Sequence, residues 1–156
     1  MADIVLINPR FEASFWGMEY AMPLFGKKAN LPVACLPLLA ALTPPGHHVT
    51  LLDENVESLN FDRIAKADVV GLTGMIVQQI RVREILAELK GRGTFVVVGG
   101  PWITVKEDYF GDLADVIFVG EAEATWPRFL EKWRLGRHAR RYGEAERTDM
   151  TQLPTA

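Results

Sequence analysis

Cysteine is almost missing from this chain of 156 residues: Cys35 stands alone. One thiol excludes a disulfide framework and any cysteine-rich zinc or iron–sulfur site built by this chain by itself. Set in an apolar stretch, Cys35 is expected to be a buried small hydrophobe rather than a nucleophile. Long apolar runs are missing too, since the most apolar window, 31–42, is too short to span a bilayer and carries two prolines. Positive charge is not in excess. The formal net charge of -3 removes any electrostatic case for nucleic acid or anionic membrane. Met1-Ala2-Asp3 begins with an acid and leads straight into a strand-like run, so a cytoplasmic protein without a signal peptide is expected. Histidine is scarce: His47 and His48 precede the second strand-like run and His138 lies in the tail, each expected as a surface or satisfied residue. No Ser-His-Asp or Cys-His pair falls at matched strand ends.

What is present is the balance of one soluble globular domain, 49% apolar and 24% charged. Residues 3–7 are β-branched and read as a first buried strand, stopped by Asn8-Pro9-Arg10. The stretch 11–30 is long for a connection, and two readings stay open: a functional loop, or a lid of aromatics over core. Residues 32–42 look like a buried helix with Pro37 in its first turn, ended by Thr43-Pro44-Pro45-Gly46. Residues 48–52 form a second strand, and 60–66 a short helix that Asn60 caps. The third strand is 69–72. Its helix, 76–91, is expected to place Ile76, Ile80, Val82, Ile85, Leu86 and Leu89 on one buried face. Residues 94–98 and 115–119 are strands four and five, with a short helix expected over 105–110 and a last helix over 126–133. From Arg137 the apolar content falls, and the remainder reads as a linker or extended arm.

Strands alternating with helices imply a doubly wound, flavodoxin-like or Rossmann-like parallel sheet of five strands in the order 2-1-3-4-5, and thus an α/β fold. Ligands of such sheets bind at the carboxyl ends of the strands. The loops gathered there are 8–10, 73–78, 99–102 and 120–123, rich in glycines that let backbone approach a bulky ligand. Glu121 and Glu123 lie near a helix start, where they either favour the dipole or recognise a hydroxyl or amide. The acid cluster of a response-regulator receiver and the Gly-x-Gly-x-x-Gly of a dinucleotide fold are both missing. A phosphate loop of the flavodoxin kind is also missing.

The residues Asn8-Pro9-Arg10, Leu38-Leu39-Ala40-Ala41-Leu42, Gly46-His47-His48-Val49, Leu52-Asp53-Glu54-Asn55, Ala67-Asp68-Val69-Val70-Gly71-Leu72-Thr73, Val98-Gly99-Gly100-Pro101 and Gly120-Glu121-Ala122-Glu123 together resemble the amino-terminal cobalamin-binding domain of cobalamin-dependent radical SAM enzymes. The pairing of Gly-Gly-Pro with Gly-Glu-Ala-Glu at successive strand ends is fairly specific to that group. Phe15-Trp16-Gly17, Tyr20-Ala21-Met22 and Gly26-Lys27-Lys28-Ala29 resemble the branch that contains hopanoid C-2 methylases. Asp149-Met150-Thr151-Gln152-Leu153-Pro154 resembles the linker that enters the radical SAM barrel.

The resemblance implies a cobalamin-binding domain over 1–136 and a linker over 137–156. It implies cofactor contacts from Asn8, Arg10, Thr73, Gly74, Met75, Gln78, Gly99, Gly100, Pro101, Gly120, Glu121 and Glu123, with Thr73 and Gln78 bonding corrin amides or the nucleotide tail. Met75 or Ile76 would form an apolar, non-ligating wall under the corrin. The Asp-x-His-x-x-Gly motif is absent, so no protein histidine is expected on cobalt. The Cys-x-x-x-Cys-x-x-Cys that holds a 4Fe-4S cluster and SAM is absent as well, so this chain alone is expected to bind and not to catalyse. A radical SAM barrel, in cis or in trans, is the expected partner, and an excised domain is the favoured origin. The alternative is a flavodoxin-like docking module without cofactor, using 11–25 as a protein contact; a further alternative is flavin binding.

Overall fold

The computed structural model describes residues 1–13, 18, 20–29, 33–143 and 151. Six strands form one parallel sheet in the order β2-β1-β3-β4-β5-β6: β1 Asp3–Asn8, β2 His48–Asp53, β3 Val69–Thr73, β4 Val96–Gly99, β5 Val116–Val119 and β6 Arg141–Gly143. The register pairs Ile4 with Val69, Val70 with Val96, Val97 with Val116, and Ile117 with Arg141. Between the strands lie α1 Cys35–Leu42, α2 Phe61–Ile64, α3 Gln79–Gly91, α4 Pro101–Val105 and α5 Thr125–Arg134. None of the described helices is long and apolar enough to cross a membrane.

Successive strand residues point to opposite faces, so the apolar strands feed two separate cores. Val5, Ile7, Val70, Leu72, Val96 and Val98 face α2, α3 and α4 and pack on Ile64, Val82, Ile85, Leu86, Leu89 and Ile103. Ile4, Leu6, Val69, Val97, Val116 and Phe118 face α1 and α5 and pack on Leu36, Trp126, Phe129 and Leu130. The sheet is therefore wound on both sides, as the strand pattern implies. Asn60 caps α2 by accepting from the Arg63 backbone N–H at 3.0 Å.

Several expectations need correction. The sheet has a sixth strand inside the stretch read as an arm. Residues 141–143 pair with β5, and Tyr142, 6% exposed, enters the second core. An edge strand needs one inward apolar side chain while backbone bonds supply the rest, so low apolar content did not forbid it. Ile76 and Ile80 are each 54% exposed, because residues Ile76–Gln78 make a tight 3-10 turn before α3 begins and shift the helical phase. The helix expected over 105–110 starts earlier, with Pro101 in its first turn. Cys35 is exposed rather than buried in the core. Phe15, Trp16, Gly17, most of the linker-like stretch 149–154 and the start of the helix expected at Pro32 lie outside the described residues.

Candidate functional site

The carboxyl ends of β1, β3, β4 and β5 open into a cavity of about 640 Å³ that runs between the sheet and the helices α1 and α5. Its floor is apolar, made by Leu6, Leu36, Leu39, Val97, Phe118 and Trp126. Its mouth is made by the connections that follow the strands. The depth of this slot depends on glycine. A Cβ on Gly71 would lie 2.8 Å from Leu6 Cδ2 and 3.4 Å from Val97 Cγ2, inside the floor. A Cβ on Gly99 would lie 3.2 Å from Phe118 Cβ.

Of the residues that the sequence points to, Asn8, Thr73, Met75, Gln78, Gly99, Gly100, Pro101, Gly120, Glu121 and Glu123 line the cavity. Arg10 and Gly74 do not. Arg10 is exposed, and its backbone N–H donates to Glu54 Oε2 at 3.0 Å. Gly74 is buried on the other side of its loop, where a Cβ would lie 2.8 Å from Val82 Cγ2, and its carbonyl accepts from the Trp102 backbone N–H. Met75 lies on the cavity wall, whereas Ile76 does not.

The polar mouth is braced from within. Gln78, 1% exposed, donates from Nε2 to Asn8 Oδ1 at 2.9 Å and to the Pro9 carbonyl. Its Oε1 accepts from the Met75 backbone N–H at 2.9 Å. Asn8 in turn donates from Nδ2 to Asp53 Oδ1 at 3.1 Å. Both amide hydrogens of Gln78 are thus committed, and the residue fixes the shape of the 73–78 loop rather than offering donors to a ligand.

The sequence missed the wall opposite the sheet. Cys35 at the start of α1 reaches the cavity, its Sγ 3.9 Å from Thr73 Oγ1. Although the residue is exposed, the cavity wall partly desolvates its sulfur and pushes this thiol up, the Thr73 contact offsets part of that, and the nearby Glu123 charge adds to it. The thiol is therefore protonated at neutral pH and poorly nucleophilic. A signal existed: α1 is apolar around its whole circumference, yet Leu36 is its only buried residue. A helix apolar all round needs cover on every face, and here one face lines a cavity.

The imidazoles sit at the opposite rim of the sheet. His48 begins β2 and its backbone N–H donates to the Ala2 carbonyl. His138 packs edge-on against Phe95, centroids 5.1 Å apart, just before β6. Among the described residues, no His, Cys, Asp and Glu group of three or more could hold a metal ion. The cavity's own chemistry is that of an apolar receptacle with few polar groups, which suits binding of a sizeable ligand.

Comparison with known proteins agrees with that form. The chain is 34% identical over 151 residues to an uncharacterized methyltransferase of Synechocystis sp., covering 96% of this chain and 28% of that protein. It is 37% identical over 108 residues to the bacteriochlorophyllide d C-8(2)-methyltransferase of Chlorobaculum tepidum, covering 69% of this chain and 24% of that one. Against the hopanoid C-2 methylase of Rhodopseudomonas palustris it is 28% identical over 156 residues, covering 97% and 29%. The chain thus spans between 24% and 29% of the length of these relatives. The model of the B12 binding domain matches residues 27–130, a stretch that contains α1 to α4, the first part of α5 and the whole cavity floor beyond β1, and the chain belongs to that family.

Proposed function

We propose that this chain is the cobalamin-binding module of a larger methyl-transferring enzyme whose radical SAM barrel carries the cluster and SAM. It holds the cofactor with the nucleotide arm in the slot and with no protein histidine on cobalt. The observation that carries this reading is the glycine-floored apolar cavity at the carboxyl edge of β1, β3, β4 and β5. A flat aromatic base needs depth without side chains, and Gly71 and Gly99 supply it where any Cβ would intrude. The placement of His47, His48 and His138 away from that edge supports the histidine-free part. The names of the relatives, all methyltransferases or a methylase, support the class of parent reaction.

Bound cobalamin would supply the cobalt that accepts and donates a methyl group. This chain's residues do something simpler. Met75 and Pro101 line the mouth, Gly99 and Gly100 let the ligand approach backbone, and Asn8 with Gln78 holds the loops in register. The module extends through β6, and the segment beyond Gly143 serves as the link to the barrel.

The test is direct. Purified chain is mixed with hydroxocobalamin, free ligand is removed by gel filtration, and the visible spectrum is recorded. Retained corrin absorbance with the spectrum of displaced base is expected. No retained corrin would overturn the reading in favour of a docking module. Retained yellow absorbance without added corrinoid would favour a flavin. Nitrogen hyperfine structure from a protein histidine, seen by electron paramagnetic resonance of the cob(II)alamin form, would refute the histidine-free mode. The reading frame continuous with or adjacent to this one is expected to encode Cys-x-x-x-Cys-x-x-Cys.

A further inference from the structure

One buried polar atom on the cavity wall has no hydrogen-bond partner among the described residues: Glu123 Oε2. The connection that carries it, between β5 and α5, is held in place by other bonds. The Thr125 hydroxyl and the Trp126 backbone N–H both donate to the Ala122 carbonyl. Other polar groups around the slot are engaged elsewhere. Cys35 Sγ and Thr73 Oγ1 face each other, and the Trp126 indole N–H donates to Thr43 Oγ1 at 2.9 Å. The remaining wall near α1 and α5 is apolar, with Leu36, Phe118 and Trp126. An acceptor withdrawn from water without a donor destabilises the fold, and native proteins satisfy nearly all such groups. In this cavity an occupant can supply the donor.

The geometry points to Glu123 as the specificity-determining acceptor of the slot, selecting a corrinoid whose nucleotide arm presents an N–H or O–H donor to Oε2. This rests on the corrinoid-binding reading and deepens it, because it states what the slot demands: an aromatic base with a hydrogen-bond donor beside it, not a corrin ring alone. A carboxylate in a largely apolar wall discriminates strongly, since the analogue lacking the donor leaves it unpaired.

The probes are hydroxocobalamin and dicyanocobinamide, which has the ring but no nucleotide arm. Wild-type chain, Glu123→Leu and Glu123→Gln are compared by equilibrium dialysis with absorbance readout, and each unliganded variant is melted by circular dichroism. The wild type is expected to prefer hydroxocobalamin by about tenfold or more. Glu123→Leu is expected to lose roughly tenfold for hydroxocobalamin and nothing for cobinamide. Glu123→Gln, which keeps an oxygen acceptor, is expected to fall between the two. Unliganded Glu123→Leu is expected to melt no lower than wild type, because an orphaned acceptor has been removed; a merely structural glutamate would give the opposite result. Unchanged hydroxocobalamin affinity in Glu123→Leu would overturn the inference. So would a parallel loss for both corrinoids in either variant. Should the wild type retain neither corrinoid, the corrinoid reading itself fails and the inference falls with it, an outcome distinct from retention of both with no effect of substitution.

Discussion

Gly100 is where one residue's backbone sets the shape of the cavity mouth. It sits at φ 99°, and a Cβ there would lie 2.7 Å from Thr73 Oγ1 and 2.9 Å from the Gly74 backbone nitrogen. Gly120 shares the left-handed backbone, at φ 79°, but nothing lies within 4 Å of its would-be Cβ. The pair separates strain from collision. Gly120→Ala carries only the conformational cost, on the order of 1 kcal/mol. Gly100→Ala adds a clash with backbone that cannot swing aside, so its loss is expected to reach about 3 kcal/mol. Thermal melts of the two variants check this, and equal destabilisation would show that the loops yield and that the close packing of Thr73, Gly74 and Gly100 is not a constraint. Glycines of this kind are legible in a sequence because their chemistry is local. Gln78 was visible as a polar residue in a functional loop, but its task was not, since its partners Asn8 and Pro9 lie 70 and 69 positions away. Cys35 was misplaced for the same reason: what faces a residue across a cavity is written in another segment.

At the scale of elements, β6 decides where the domain ends. Tyr142 stacks on Phe118 with centroids 5.4 Å apart and meets Phe129 edge-on at 5.5 Å, and its hydroxyl accepts from the Ala139 backbone N–H at 3.1 Å. Tyr142→Ala is expected to cost about 3 kcal/mol by leaving a hole against Phe118 and Phe129. Tyr142→Phe keeps the stacking and loses only the hydroxyl bond, on the order of 1 kcal/mol. Urea denaturation followed by tryptophan fluorescence reads both, and a Tyr142→Ala curve superimposed on wild type would place β6 outside the cooperative unit. Strands β1 to β5 were legible because each is a short β-branched run closed by glycine, proline or asparagine. A three-residue edge strand with a single inward side chain has no period to detect. The helical face over 76–89 was half legible: Val82, Ile85, Leu86 and Leu89 are buried as the period requires, while the 3-10 turn that exposes Ile76 and Ile80 is imposed by Gln78 bonding to Met75 and Pro9. Tertiary contact overrode local phase there.

For the molecule as a whole, the cavity mouth is held by a strut of polar bonds that ties three elements together across one edge. Arg81 on α3 reaches Glu54 after β2, donating from Nη2 at 2.6 Å and from Nε at 3.0 Å, and Glu54 accepts from the Arg10 backbone after β1. Asn55 continues the strut, accepting from the Phe11 backbone N–H at 3.0 Å and donating to Asp53 and Pro9. Burial alone would push the Glu54 carboxyl up, but the bonds from Arg81 and Arg10, together with both cationic charges, overcome it and hold the group below its ordinary value. A carboxyl depressed on folding contributes stability above its unfolded value, about 4.3, and loses that contribution as the pH falls through the folded value. Glu54→Gln is therefore expected to be less stable than wild type by about 2 kcal/mol at pH 7, the typical worth of bonds to a charged group. As the pH falls below about 4 and the wild-type carboxyl takes up its proton, the two urea midpoints are expected to converge. A gap that stays constant from pH 7 to pH 3 would mean that shape rather than charge holds β1, β2 and α3 together at this edge. Convergence would mean that acid loosens the mouth of the cavity before it melts the two apolar cores, which contain no carboxylate.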